Sequence, residues 1–331
     1  MLTLDCLGRV LRYRLLTVTA VVIAAAAVVL AVTHTRPQLP GASHPVTAHA
    51  TLTAPKSASY LGVYETGPPF SYRSVSRFAQ AAGKRPNLVG YYSGWGQAFE
   101  TSFAQTVDKH GAITIMQWDP TDASITGIAA GSYDLYLRPF ADSVRNFGRP
   151  VVIGFGHEMN ATWYSWGYGH VRPATFVAAW RHIVTLFRDQ GADNVTWLWT
   201  INADRPGTGP VQKWWPGATY VDWVGIDGYY VRPSDNFDTV FGATIGQVRL
   251  FAHKPVLLSE TAVGPAAGQS AKITNLFAGL HKYETIGLVW FDIAQHDGPY
   301  HQDWRIEDSP AAQAAFRLGA SSLTLARSSA G

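Results

Sequence analysis

The stretch Pro150-Val151-Val152-Ile153-Gly154-Phe155-Gly156-His157-Glu158-Met159-Asn160 changes character abruptly at its centre. Its first half is apolar without a break, and its second half presents an imidazole, a carboxyl and an amide. A continuous apolar run bounded by proline and glycine suits a strand buried on both faces, as in parallel sheets covered by helices. The run Pro255-Val256-Leu257-Leu258-Ser259-Glu260 repeats the theme, again ending on a carboxylate.

Outward from these two runs, strands and helices alternate. Strands are predicted at Leu61–Thr66, Asn87–Ser93, Ala112–Trp118, Pro150–Phe155, Val195–Thr200, Val221–Ile226, Pro255–Leu258 and Gly287–Phe291. Helices are predicted at Ser74–Ala82, Phe99–His110, Pro173–Gln190, Phe237–Phe251, Gln269–Tyr283 and Pro310–Leu318, several closed by glycine. Ala123–Phe147 reads as a short helix, a loop through Tyr133–Leu137 and a longer helix, and Asn202–Thr219 reads as a long Gly/Pro/Trp loop. Strand–helix alternation over residues 59–320 predicts an α/β fold of the (β/α)₈ TIM-barrel class rather than an open doubly wound sheet.

The amino-terminal segment stands outside this rhythm. Residues 1–14 form a basic segment with Arg9, Arg12 and Arg14, followed by the uncharged stretch Leu15–Val32. As a helix it would rise roughly 27 Å, close to the hydrocarbon thickness of about 30 Å. The arginines bias the amino end toward the cytoplasm. Residues 15–32 are therefore expected to be a transmembrane anchor or a signal segment, with the barrel extracytoplasmic, either anchored to the membrane or secreted. Ala48-His49-Ala50 offers a small-x-small cleavage site. Residues 33–58 are read as a linker and 321–331 as a flexible tail.

Composition narrows the function classes. The chain of 331 residues is 47% hydrophobic and 15% charged, with a net charge of +3 and no basic run in the barrel region, so a nucleic-acid partner is not expected. The single cysteine, Cys6, precludes an internal disulfide or a cysteine-based metal cluster. Twelve tryptophans and fifteen tyrosines are abundant enough to line a cleft for flat, uncharged ligands as well as to fill a core.

In a barrel of this class, chemistry collects where strands end. Trp95, Trp118, Asp119, His157, Glu158, Asn160, Asn202, Asp227, Tyr229, Glu260, Trp290 and Asp292 fall at or just beyond predicted strand ends, and Trp163 and Trp166 follow Glu158 closely. Glu158 and Glu260, after strands four and seven, can face each other across the axis. Hydrolysis of a glycosidic bond needs one protonated carboxyl and one carboxylate. A separation of about 5–5.5 Å leads through a covalent intermediate with retention, whereas about 6.5–9.5 Å leaves room for an attacking water. Asp119, Asp227 and Asp292 are rival carboxylates that can instead bind hydroxyls or cap turns. A zinc-binding H-E-x-x-H would need histidine at 161, where alanine stands, so neither metal nor cofactor is expected.

The stretch Gly156-His157-Glu158-Met159-Asn160-Ala161-Thr162-Trp163-Tyr164-Ser165-Trp166-Gly167 resembles the acid/base signature of glycoside hydrolase family 26. Trp223-Val224-Gly225-Ile226-Asp227-Gly228-Tyr229 and Leu258-Ser259-Glu260 carry the resemblance further, and it extends over residues 60–320. That family is best known for endo-β-mannanases, with catalytic glutamates after barrel strands four and seven. The resemblance implies a retaining endo-acting β-glycanase, with Glu158 as acid/base, Glu260 as nucleophile and a β-linked polysaccharide as partner. It also implies His157 and Asn160 as supporting residues, Tyr229 in contact with the nucleophile, Trp163 as a cleft aromatic and Trp290 as the ring beneath the sugar at the cleavage point. Trp95, Trp118, Trp166, Asn202 and Asp227 are further candidates for substrate contact. Ala161 stands where the family usually has glycine. β-1,4-Mannan is the substrate expected from the family's majority activity. A β-1,3-1,4-glucanase, a β-1,3-xylanase or a non-catalytic carbohydrate-binding barrel are the alternatives, and a monomer is expected.

Overall fold

The computed structural model describes residues 52, 57–294 and 302–326. Residues 15–32, and with them the expected anchor or signal, lie outside this range. Among the described residues no helix is long and apolar enough to cross a membrane.

Eight parallel strands close into a barrel in sequence order. They are β1 (Tyr60–Tyr64), β2 (Leu88–Gly94), β3 (Ile113–Asp119), β4 (Val151–Phe155), β5 (Val195–Asn202), β6 (Trp223–Tyr230), β7 (Val256–Val263) and β8 (Gly287–Phe291). The outer helices are α1 (Arg73–Ala82), α2 (Thr101–Lys109), α3 (Ile125–Ala129), α4 (Asp134–Phe147), α5 (Pro173–Asp189), α6 (Ala243–Arg249), α7 (Gln269–Lys282) and α8 (Pro310–Ser321). The barrel expected from strand–helix alternation is present, with local departures. Residues 134–137, expected as loop, already belong to α4, and the segment before α6 winds as a π-helix over Asp238–Gly242. Between β5 and β6 the chain forms only a 3₁₀ turn, Val211–Trp214. There Trp199, Trp215 and Phe251 pack edge to face and cover the strands where a helix would otherwise lie.

Strand alternation divides the apolar residues between two cores. Tyr60, Leu88, Ile113, Ile115, Val152, Leu198, Trp223, Leu257 and Val289 fill the barrel interior. The alternate residues, such as Val89, Met116, Trp118, Ile153, Trp199, Ile226, Leu288 and Trp290, pack outward against the helices. Both faces of every strand are thus apolar, which explains the unbroken runs in the sequence.

Residues 321–326, expected as part of a tail, are described, and they pack against the barrel. Leu323 is buried, and Ala326 donates its N–H to Ser59 and accepts from Asn87 Nδ2 (2.9 Å each). Asn87 also donates to the Ser59 carbonyl (3.0 Å) and accepts from the Leu61 N–H (2.9 Å), so one buried amide ties the end of the described chain to β1.

Candidate active site

At the carboxyl end of the barrel an open cavity of about 730 Å³ is lined by Tyr92, Asp119, His157, Glu158, Trp163, Tyr164, Asn202, Tyr229, Glu260 and Phe291. Its outer wall includes Arg205, Arg232 and Asp235 from the loops after β5 and β6. Glu158 and Glu260 are nearly buried at its floor, 6% and 8% exposed.

Glu158 follows β4 with φ of +54°, the left-handed region that costs a non-glycine residue about 1–3 kcal/mol. The neighbouring strand holds it there: its N–H donates to the Thr200 carbonyl, and its own carbonyl accepts from Ala161 (2.9 Å each). Its carboxylate takes the Asn202 Nδ2 donor on Oε1 and the Trp163 indole N–H on Oε2, the latter at 2.6 Å. Asn160 is buried and does not reach the cavity. It clasps the Asn202 backbone and so positions the amide that grips Glu158.

Glu260 lies within β7, which continues to Val263. The pairing of β7 slips against β6 and against β8 on either side of this residue. Such an irregularity redirects side chains. Its effect here is that consecutive Ser259 and Glu260 both work on the inner side. Ser259 Oγ donates to Asp227 Oδ1 (2.6 Å), while Glu260 accepts from the phenols of Tyr92 and Tyr229, one on each oxygen. Burial raises the Glu260 pKa first and the Glu158 charge adds to it; His157 and the two phenols pull it down without cancelling the rise.

His157 is held between Asp119 Oδ1 at Nδ1 (2.7 Å) and Tyr164 Oη at Nε2 (3.1 Å). Burial alone would favour the neutral ring. Asp119, through charge and hydrogen bond, and then Glu158 and Glu260 outweigh it and push the pKa up to about 10. An imidazolium therefore sits beside the two glutamates at neutral pH. One buried positive charge allows the pair to retain a net negative charge. Two like charges at one site also favour holding a single proton between them. One carboxyl and one carboxylate facing a common cavity can supply a proton and a nucleophile to the same bond.

Residues 112–319 match the model of glycosyl hydrolase family 26. The chain belongs to that family. Endoglucanase H of Acetivibrio thermocellus is 31% identical over 271 residues, covering 76% of this chain and 29% of that protein. A mannan endo-1,4-beta-mannosidase of Bacillus subtilis is 28% identical over 266 residues, covering 67% of this chain and 71% of that one. The solved structure of Bacillus subtilis mannanase man26 superposes with a TM-score of 0.60 over 83% of this chain and 88% of that one, at 19% identity. The chain thus spans less than a third of the Acetivibrio relative.

Within this family-26 barrel, several residues expected to contact substrate lie outside the cavity lining. Trp290 is fully buried, donates its indole N–H to the Trp304 carbonyl (3.0 Å) and packs on Phe316 of α8. It faces away from the barrel axis, and its neighbour Phe291 lines the cavity instead. Trp118 is also outward, stacked on Phe140 with ring centroids 4.3 Å apart. Trp95 stacks on Trp118 and lies outside the cavity lining. Trp166 is buried under Tyr164 and donates to the His157 carbonyl (2.9 Å), so it braces the site without facing substrate. Asp227 is fully buried beneath the cavity, where burial and the charges of Glu260 and Glu158 raise its pKa. Asp292 is buried as well and is not among the lining residues. Trp163, Asn202 and Tyr229 do line the cavity.

The sequence reading passed over Tyr92, Tyr164 and Phe291. Tyr92 shares the inward parity of Leu88 on β2, a signal available once the register of that strand is known. Tyr164 lies between Trp163 and Trp166 and is distinguishable from them only by its contacts.

Proposed function

We propose that this chain is a retaining, endo-acting β-glycanase that cleaves β-1,4-mannosidic linkages through a covalent glycosyl-enzyme. The observation that carries the reading is the single cavity shared by Glu158 and Glu260, each gripped on both oxygens by donors from other parts of the barrel. In this account Glu260 attacks the anomeric carbon, because two phenols fix its oxygens and favour its ionised form. Glu158 protonates the leaving oxygen and later removes a proton from the water that releases the sugar. Acting as the proton donor, Glu158 sets no negative charge against Glu260 at the moment of attack, so each role supports the other.

Mannan is supported by the Bacillus subtilis relative, which is matched over most of both chains. A β-1,3-1,4-glucan is the second reading, favoured by the larger share of this chain that matches the Acetivibrio endoglucanase. Activity of the protein on mannan, mixed-linkage β-glucan and β-1,3-xylan, with product lengths followed over time, separates these readings. Failure on all of them would support the non-catalytic alternative.

We also read Leu15–Val32, preceded by three arginines, as placing the barrel outside the cytoplasm. Partitioning of full-length protein into membranes would support an anchor, whereas mature soluble protein beginning at Thr51 would support cleavage.

A further inference from the structure

At the carboxyl end of the β1–β8 seam, three carboxylates converge. Glu65 follows β1, Asp292 follows β8, and Glu307 lies in the connection to α8. An oxygen from each lies within 4.8 Å of the other two. The strands fix two of them: Tyr64 pairs with Phe291, and the Asp292 N–H donates to the Tyr64 carbonyl (2.9 Å). Asp292 Oδ1 accepts from the Ile306 N–H (3.0 Å), which draws the Glu307 segment against the seam.

Clustered acids on a surface are commonplace, but here the central carboxylate is buried between the less buried Glu65 and Glu307. Asp292 is 1% exposed, and its Oδ2 is buried without a donor among the described residues. Among the described residues Glu307 Oε2 is likewise buried without a donor. In the active site, by contrast, Glu158 and Glu260 are each met on both oxygens by amide, indole or phenol donors. Here Arg77 lends positive charge to Glu65, and Arg305 lies near Glu307. Burial, followed by the charges of its acidic neighbours, pushes Asp292 up to about 10, so the group is poorly suited to existing as three bare carboxylates. Among the described residues two buried acceptor oxygens thus converge without donors on a third carboxylate, an arrangement that a proton or a cation would satisfy.

The spacing fits a cation. Calcium binds oxygen at about 2.3–2.6 Å, so any two of its ligands lie no more than about 5 Å apart. The donor set is carboxylate only, which suits a hard divalent ion rather than zinc or copper. We propose that Glu65, Asp292 and Glu307 form a calcium site that fastens the β1–β8 seam to the connection leading into α8. That connection carries Trp304, whose ring packs 4.8 Å from Tyr229, the phenol that holds Glu260. The site is thus structural and adjoins the support of the cleft without lining it.

Calorimetric titration of the full-length, EDTA-treated protein with calcium chloride tests this. A single site should fill below about 1 mM calcium, and the melting temperature should rise with calcium as expected for a ligand of the folded state. Asp292→Asn and Glu307→Gln should each weaken binding at least about tenfold, while Glu260→Gln should bind as the parent does. Glu307→Gln lies in a connection rather than a strand and serves if Asp292→Asn does not fold. Absence of heat and of thermal shift at about 10 mM calcium, or binding that survives Glu307→Gln unchanged, would overturn the proposal and leave the three groups sharing protons.

Discussion

Asn160 and Asn202 clasp one another across the ends of β4 and β5. The side-chain amide of Asn160 donates to the Asn202 carbonyl at 2.9 Å, and its Oδ1 accepts the Asn202 N–H at 2.8 Å. Asn202 in turn donates to Glu158. Asn160→Ala leaves two backbone groups buried and unpaired, each costing about 1–3 kcal/mol. Chemical denaturation should therefore show a loss of about 3 kcal/mol. Turnover of the remaining folded protein should also fall, because Glu158 loses a fixed donor. Unchanged turnover would mean that Asn202 does not orient Glu158.

Adjacent residues of β8 should behave oppositely. Trp290 fills the layer between barrel and α8, so Trp290→Ala should destabilise by about 3–5 kcal/mol while the folded fraction keeps most of its activity. Phe291→Ala should do the reverse, since Phe291 faces the cavity and meets Tyr229 edge to face. Thermal melts paired with kinetics on the two variants check the assignment.

That pair also marks the limit of what the sequence makes legible. The alternation of apolar strands with helices gives the barrel, and the carboxylates after strands four and seven stand out against apolar runs. Which face of a strand points inward is hidden, because helices bury one side of the barrel wall and side chains fill the other. Trp290 and Phe291 are equally apolar to a reader of sequence, as are Tyr91 and Tyr92. The slip in β7 that brings Glu260 to the cavity beside inward-facing Ser259 has no signature in Leu258-Ser259-Glu260. Tryptophan abundance pointed to sugar stacking, yet Trp95, Trp118, Trp166 and Trp290 serve the framework.

The His157–Asp119 pair predicts a stability profile of defined sign. The folded-state pKa of His157 is raised to about 10, above the ordinary value of about 6.5. Its stabilisation is fully present below pH of about 6.5 and is lost as pH rises toward 10. Asp119→Asn removes the partner, so the gap in melting temperature between parent and variant should be widest below neutrality and narrow in alkali. A gap that widens with pH would contradict the ion pair.

The phenols predict a shift in the pH dependence of activity. Both lower the pKa of Glu260 by donating to its carboxylate. Tyr92→Phe and Tyr229→Phe should each move the acidic limb of kcat/KM to higher pH, because Glu260 then ionises later. The measured limb belongs to the coupled Glu158–Glu260 pair, so the direction of movement is the test. Movement to lower pH in both variants would refute this role.

The assignment of the two glutamates is tested most directly by azide rescue with a dinitrophenyl glycoside. Such a leaving group needs little protonation, so Glu158→Ala should still form the glycosyl-enzyme but release it slowly for want of a base. Azide needs no base. It should restore turnover of the Glu158 variant and yield a glycosyl azide of retained, β configuration, while Glu260→Ala gives no retained product. A glycosyl azide of retained configuration from the Glu260 variant, together with an inverted one from the Glu158 variant, would contradict the account and exchange the two roles.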